Sequence, residues 1–237
     1  MNEYLNRVME PELMNGIEQA EAYAAADFST ADSALISWVA QKFPEGIGPL
    51  LIDLGCGPGN ISELAAKHWP NMIVKGVDGA EQMIALANKR KKLLPQSILE
   101  RIEYKVLNLC DQDQIILLKK TLTAEKTESA ISVVSNSLLH HLHDPQHHWN
   151  AMKLLATPGS AIVVNDLCRP ANNIEYEKLV NTEAVHMEPI LRQDYCASLK
   201  AAFSIEEVKQ QLIEADLNYL SIVQRSVKYI SVFGRLR

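Results

Sequence analysis

Five short apolar runs, each of strand length and separated from the next by a helical stretch, constrain this chain more than any other feature. They are Leu50 to Leu54, Ile73 to Val77, Ile102 to Leu107, Ala130 to Ser135 and Ser160 to Val164. A strand that is apolar at nearly every position must be covered on both faces. Helices between successive strands provide that cover while returning the chain for another parallel strand. The pattern predicts an α/β fold with a doubly wound, mostly parallel sheet and helices on both faces.

The end of the chain breaks the rhythm. Ser204 to Leu217 reads as an amphipathic helix, with Ser204 as its cap, Glu207 completing a capping box, and Ile205, Val208, Leu212 and Ala215 on one face. The runs Tyr219 to Val223 and Lys228 to Phe233 are then joined only by Gln224 to Val227, too short a link for a parallel crossover. They are expected to form a C-terminal antiparallel hairpin, which makes the sheet seven-stranded. Ahead of the first strand, residues 17 to 43 carry the helical period. Leu35, Trp38, Val39 and Lys42-Phe43 mark an apolar face, and Ser29 to Asp32 offer a break and cap. An N-terminal cap of two helices follows from this.

Length and charge limit the function classes. A chain of 237 residues suits one α/β domain better than two. The formal charge of −6 gives no broad attraction to phosphate backbones or anionic lipid, so neither nucleic acid nor membrane is expected as a partner. No stretch of roughly 18 apolar residues is present, and the start MNEYLNRVMEPEL has no basic-then-apolar leader pattern. The four cysteines, Cys56, Cys110, Cys168 and Cys196, form no CxxC pair and suggest neither a zinc site nor a disulfide framework. A reducing cytoplasm is the expected compartment.

The chemistry is concentrated at the ends of the predicted strands. LIDLGCGPGN runs from a strand through Gly55, Gly57 and Gly59 into a helix that begins near Asn60. Glycines there let the backbone turn tightly and let a ligand approach without a Cβ in the way, and the helix start offers unpaired amides. Position 60 is Asn where the nicotinamide fingerprint GxGxxG requires glycine or alanine. Asp78 ends the second strand in VKGVDGAEQM, about twenty residues beyond the glycines, where a carboxylate can accept from both hydroxyls of a ribose.

With these residues in place, the chain resembles the seven-stranded, Rossmann-like S-adenosylmethionine-dependent methyltransferases. The resemblance runs at motif level from about Gly48 to Leu167 and, by order of elements, to Arg237. It implies S-adenosylmethionine as cofactor and S-adenosylhomocysteine as product. Asp53, Gly55 and Gly57, with Asn60 closing the turn, would cradle the methionine part. Asp78 would hold the ribose with Gly79 and Met83 packed nearby, and Asn108, Leu109 and Cys110 would face the adenine. Many relatives have an aspartate in the place of Asn108, but an Asn carbonyl still accepts from an amino group. The block Ser135-Asn136-Ser137-Leu138-Leu139-His140-His141-Leu142 resembles the variant of the family that modifies small molecules, and Ser135 joins the implied cofactor contacts. Thr157-Pro158-Gly159-Ser160 resembles the family's loop before the fifth strand. The expected organisation is a single domain over 1–237. It comprises a helical cap over 1–47, a cofactor-binding core over 48–166, a candidate substrate lid over 167–203, and the final helix and hairpin over 204–237.

Five histidines fall between His140 and His148. Their only near acid is Asp144, which before Pro145 reads as a helix cap, and no thiol is close, so a metal site is not expected. His140, just beyond the fourth strand, is the candidate catalytic residue, as a base or as a group that orients the acceptor. Asp166, at the end of the fifth strand, suits a substrate ligand or a loop cap equally. Three functions remain: a small-molecule methyltransferase, a nucleic-acid or protein methyltransferase, and a nucleotide-binding module without catalysis. The first leads. The acceptor, and the oligomeric state, are not written in any motif.

Overall fold

The computed structural model describes residues 4–124 and 130–237. Positions 1–3 of the cap and 125–129 of the core lie outside the described residues. Two helices come first, α1 (Ile17–Ala25) and α2 (Ser29–Lys42), as the periodicity predicts. The strands β1 (Leu50–Leu54), β2 (Ile73–Asp78), β3 (Ile102–Val106), β4 (Ile131–Asn136) and β5 (Ala161–Leu167) then alternate with helices. Those helices are α3 (Asn60–His68), α4 (Glu81–Lys91), the short α5 (Gln96–Leu99), α6 (Gln112–Ala124) and α7 (Gln146–Leu155), with a single 3-10 turn over Leu139–His141. Beyond β5 lie α8 (Asn173–Glu183), α9 (Pro189–Ala201), α10 (Ile205–Glu214) and the hairpin β6 (Ser221–Gln224) and β7 (Tyr229–Arg235).

The seven strands form one sheet in the order β3-β2-β1-β4-β5-β7-β6. Strands β1 to β5 pair in parallel, and β7 runs antiparallel between β5 and β6. The strand order reverses between β1 and β4. Open α/β sheets bind their ligands outside the carboxyl ends of the strands at such a reversal.

Alternation along the strands explains the two cores. Leu50, Ile52 and Leu54 of β1, with Ile131, Val133, Ile162 and Val164, face α6, α7 and α10. Leu51, Val74, Val134 and Val163 point the other way, onto Leu35 and Val39 of α2, Ile61 and Ala65 of α3, and Ile84 of α4. Every residue of β1 is buried, which is what a central strand covered on both faces requires. Trp149 of α7 is fully buried, and its Nε1 donates to Gln211 Oε1 at 3.0 Å, tying α7 to α10. A third cluster, Leu167, Tyr176, Leu179, Val180 and Leu199 with Leu5, packs α8 and α9 over the end of β5. The segment ahead of α1 is extended: Leu5 N–H donates to the Ala171 carbonyl and Val8 N–H to the Lys200 carbonyl. Among the described residues, no helix is long and apolar enough to cross a membrane.

The capping box at α10 is present in both halves: Glu207 N–H donates to Ser204 Oγ at 3.2 Å, and Ser204 N–H to Glu207 Oε2 at 2.7 Å. Replacing Ser204→Ala removes one of these bonds and leaves the Arg169–Glu207 ion pair in place. Stability should fall by about 1 kcal/mol, or roughly 2–4 °C in Tm for a chain of this size. Urea unfolding with an unchanged midpoint would show that the cap contributes nothing.

Candidate functional site

The carboxyl ends of β1, β2, β4 and β5 open into a cavity of about 900 Å³. Its floor is the turn between β1 and α3. Gly55, Gly57 and Gly59 all have positive φ, at 67°, 52° and 91°. Gly55 N–H and Cys56 N–H donate to the Val77 carbonyl, and Gly59 N–H returns to Cys56. A Cβ on Gly55 would stand 2.7 Å from Leu138 Cδ1, and one on Gly59 would run into the Tyr104 hydroxyl. At Gly57 the nearest neighbour of such a Cβ would be Tyr23, 3.9 Å away, so this glycine keeps the floor clear toward the cavity. Backbone strain and close packing thus explain three glycines at alternate positions.

Asp78 forms the lip. Its Oδ2 accepts from Gly57 N–H at 2.9 Å and its Oδ1 from Ala80 N–H at 2.8 Å, which leaves a lone pair on each oxygen turned elsewhere. Burial raises its pKa, and the two amides work against that shift. Asp53, under the turn, accepts from Ser62 Oγ at 2.6 Å, and burial pushes its pKa up to about 7. Asn60 bridges two elements: its Nδ2 donates to Asp32 Oδ2 at 3.2 Å and its Oδ1 accepts from Arg90 at 2.5 Å. Gly79, Met83, Asn108 and Leu109 line the same cavity. Asn108 Oδ1 accepts from Cys110 N–H at 2.9 Å, so this carbonyl also shapes its own loop.

Ser135 is placed differently. It lies inside β4, fully buried, with an Oγ that has no hydrogen-bond partner, and the cavity wall at this point is Asn136 and Ser137. Ser137 holds φ 56°, an unusual backbone for a residue other than glycine, and its N–H donates to the Asn165 carbonyl.

His140 reaches the cavity wall and is buried. Its Nδ1 lies 2.5 Å from Asp166 Oδ1. Asp166 also accepts from the N–H groups of Leu138, Leu139 and Leu167 at 2.7 to 2.9 Å, so it is both the loop anchor and the imidazole's partner. Burial works to lower the His140 pKa, but the Asp166 carboxylate, aided by Glu10, outweighs it and holds the pKa above the usual value. His141, also on the wall, is pushed down to about 3 by burial and by its charged neighbour His140. His148 is buried against Trp149 and pushed down to about 4 by burial, while His143 is exposed and His147 half-buried.

Several residues at the site carried no motif. Asp32, read from the sequence as part of a helix cap, is buried at the wall, and burial raises its pKa to about 6. Glu10 arrives from the extended N-terminal segment and lies 3.5 Å from His140 Nε2 and 3.2 Å from His141 Nδ1. Helix α9 contributes Asp194, Tyr195 and Ser198 to the wall. Asp194 Oδ2 and the Tyr195 hydroxyl are buried there without partners.

The family model described as "Methyltransferase domain" matches residues 50–216. Curated relatives include the trans-aconitate 2-methyltransferases of Mycobacterium ulcerans (strain Agy99), 45% identical over 40 residues, and of Variovorax paradoxus (strain S110), 48% identical over 50 residues. These matches cover 17% and 21% of this chain and only 15% and 18% of those proteins. Among solved structures, a SAM-dependent methyltransferase from Anabaena variabilis superposes with a TM-score of 0.66 at 13% identity, covering 99% of this chain and 100% of that one. The plantazolicin methyltransferase BamL, solved with a desmethyl plantazolicin analogue and SAH, superposes with a TM-score of 0.64 at 14% identity, over 91% and 88%. At such identities the likeness is one of fold.

The buried Asp53 sets a pH dependence of stability. Its folded pKa of about 7 stands above the unfolded value of about 3.9, so the folded state holds the proton more tightly. Stability from this group is full below about pH 4 and is lost as pH rises through 7. Asp53→Asn, which can still accept from Ser62, should therefore stabilise the protein, by about 2–3 kcal/mol more at pH 8 than at pH 5. Thermal melting of both proteins across this range checks it; a difference that does not change with pH would contradict it.

Proposed function

The chain belongs to the methyltransferase-domain family, and on that premise we propose that it transfers a methyl group from S-adenosylmethionine to a small-molecule acceptor held in the cavity. The observation that carries this reading is the pairing of Gly57 and Asp78. A side-chain-free floor and a carboxylate lip meet through one hydrogen bond, across the gap between β1 and β2 and next to the reversal of strand order at β1 and β4. When bound, S-adenosylmethionine supplies a methyl group on a positively charged sulfur.

The chain's own residues then have distinct tasks. Asp78 accepts from the ribose hydroxyls, and Gly55, Gly57, Asn60 and Asp53 hold the charged tail. Gly79, Met83, Asn108 and Leu109 flank the base. The segment from Glu183, at the end of α8, to Ser198 of α9 walls the cavity and acts as the lid. In-line displacement needs little beyond alignment, and positioning alone can supply roughly 7 to 11 kcal/mol of rate enhancement. His140, its ring fixed by Asp166, is the group that meets the acceptor. The four free cysteines suit a reducing cytoplasm.

The lining also bears on the acceptor. Eight carboxylates (Glu12, Asp27, Asp32, Asp53, Asp78, Glu183, Glu188 and Asp194) stand against Arg225 and Lys228, and Lys228 is already paired with Glu183. Such a field favours a neutral or cationic acceptor over a polyanion. Screening metabolites by mass for the gain of one methyl group identifies it.

Two outcomes test the reading. S-adenosylhomocysteine should raise the Tm of the wild type while a nicotinamide dinucleotide does not, and a folded Asp78→Ala variant should lose about 1.5–3 kcal/mol of affinity for it. Stabilisation by the dinucleotide alone, or calorimetry showing unaltered affinity in the variant, would refute the assignment. With an acceptor in hand, His140→Ala should lower turnover by about 100-fold or more and leave cofactor affinity intact. Full turnover in a stable His140→Ala protein would remove His140 from the chemistry.

A further inference from the structure

Two imidazoles and a carboxylate converge at the cavity wall. His140 Nδ1 is committed to Asp166, so its Nε2 is the nitrogen that faces Glu10 Oε1, at 3.5 Å. His141 Nδ1 lies 3.2 Å from the same oxygen, is buried, and makes no hydrogen bond, while its other ring nitrogen turns to the Pro11 backbone. The three atoms lie within 4.8 Å of one another. A cation shared among these atoms balances the Glu10 carboxylate, either the proton that His140 holds or a metal ion that displaces it.

We propose that Glu10, His140 and His141 form a three-ligand site for a divalent transition-metal ion of the zinc class. Ligand atoms about 2.0–2.1 Å from a tetrahedral zinc stand about 3.3 Å apart, close to the two spacings that Glu10 makes here. Two imidazoles and one carboxylate suit zinc and its neighbours better than magnesium or calcium, which prefer oxygen alone. The surrounding groups match what metal ligands need. Asp166 orients His140 through its second nitrogen, as a carboxylate behind a ligating histidine does. Ser198 Oγ lies 3.1 and 3.2 Å from the two oxygens of Glu10 and fixes that carboxylate. The nearby Arg7 is turned away, onto the carbonyls of Ala201, His140 and Leu142 and the ring of Phe203. His140, His141 and Ser198 all line the cavity, so the fourth position opens where an oxygen or nitrogen of an acceptor can reach it.

The test uses the full chain, stripped with a chelator and titrated with Co(II) as the probe. One equivalent should bind, give a ligand-field absorption band, and be displaced by Zn(II). Glu10→Gln and His141→Ala should each weaken Co(II) binding by about 100-fold or more. Asp166→Asn, acting through His140, should weaken it by about 10–100-fold. His147→Ala, whose ring pairs with Asp144 and touches none of the three ligands, should leave it unchanged. X-ray absorption of the cobalt-loaded wild type, which needs no variant to fold, should show two imidazole ligands. No stoichiometric binding, a shell of water oxygens alone, or equal affinity in Glu10→Gln and His141→Ala would overturn the site and leave a proton as the cation between these groups. The thermal shift with S-adenosylhomocysteine, read on the same samples, separates the two claims. A shift without metal binding sinks this inference alone, and metal binding without a shift sinks the methyl-transfer reading alone.

Discussion

Everything at the mouth of the sheet depends on the turn from β1 into α3 being able to lie flat against its neighbours. Left-handed backbone at Gly55, Gly57 and Gly59 brings the chain around in the space of one strand width. The absence of side chains lets Leu138 press on the first glycine and Tyr104 on the last. With both flanks closed, Gly57 alone presents open backbone, and its amide is the one that reaches Asp78 across the gap between β1 and β2. A single Cβ at either flank would push the β4 loop or β3 out of register with the floor. The turn therefore couples three strands as well as shaping a ligand's seat.

A second centre, Asp166, organises the opposite side. One buried carboxylate takes three backbone amides and one imidazole, so the end of β5, the loop after β4 and the ring of His140 share a single anchor. The extended N-terminal segment closes over this anchor. Arg7 holds the carbonyls of His140 and Leu142, and His143 is held by the backbone and side chain of that same segment through Glu10 and Glu12. The N-terminal segment and α9 thus meet beside His140, through Glu10 and Ser198. Local stability there and access to the cavity are expected to rise and fall together.

Much of this was legible in the residue pattern, because burial on both faces of a strand leaves a local signature. The parallel core, the closing hairpin and the Ser204–Glu207 cap follow from period and spacing, and the strand ends shift by at most three residues: β4 starts at Ile131 and includes Asn136, β5 runs on to Leu167, and β7 to Arg235. The glycines and Asp78 were legible for the same reason, since backbone strain and strand ends are local properties. Glu10, Asp32 and Asp194 were not, because their roles arise from contacts made across more than twenty residues of chain. Glu10 in particular sits in an unpatterned stretch and meets His140, far along the chain, only in the folded protein. The histidine cluster read as a turn because its acid lies so far upstream. Ser135 shows the converse limit: its neighbours in the motif line the cavity, but strand alternation turns its own side chain into the core.

What joins these parts is one claim, that the floor at Gly57 and the lip at Asp78 seat the nucleoside of S-adenosylmethionine beside His140. A crystal structure of the complex with S-adenosylhomocysteine tests it most directly. Both ribose hydroxyls should lie within about 2.7–3.2 Å of the Asp78 carboxylate oxygens, with the sulfur inside the cavity on the side of His140. A nucleoside bound elsewhere, with Asp78 contacting only Gly57 and Ala80, would contradict it.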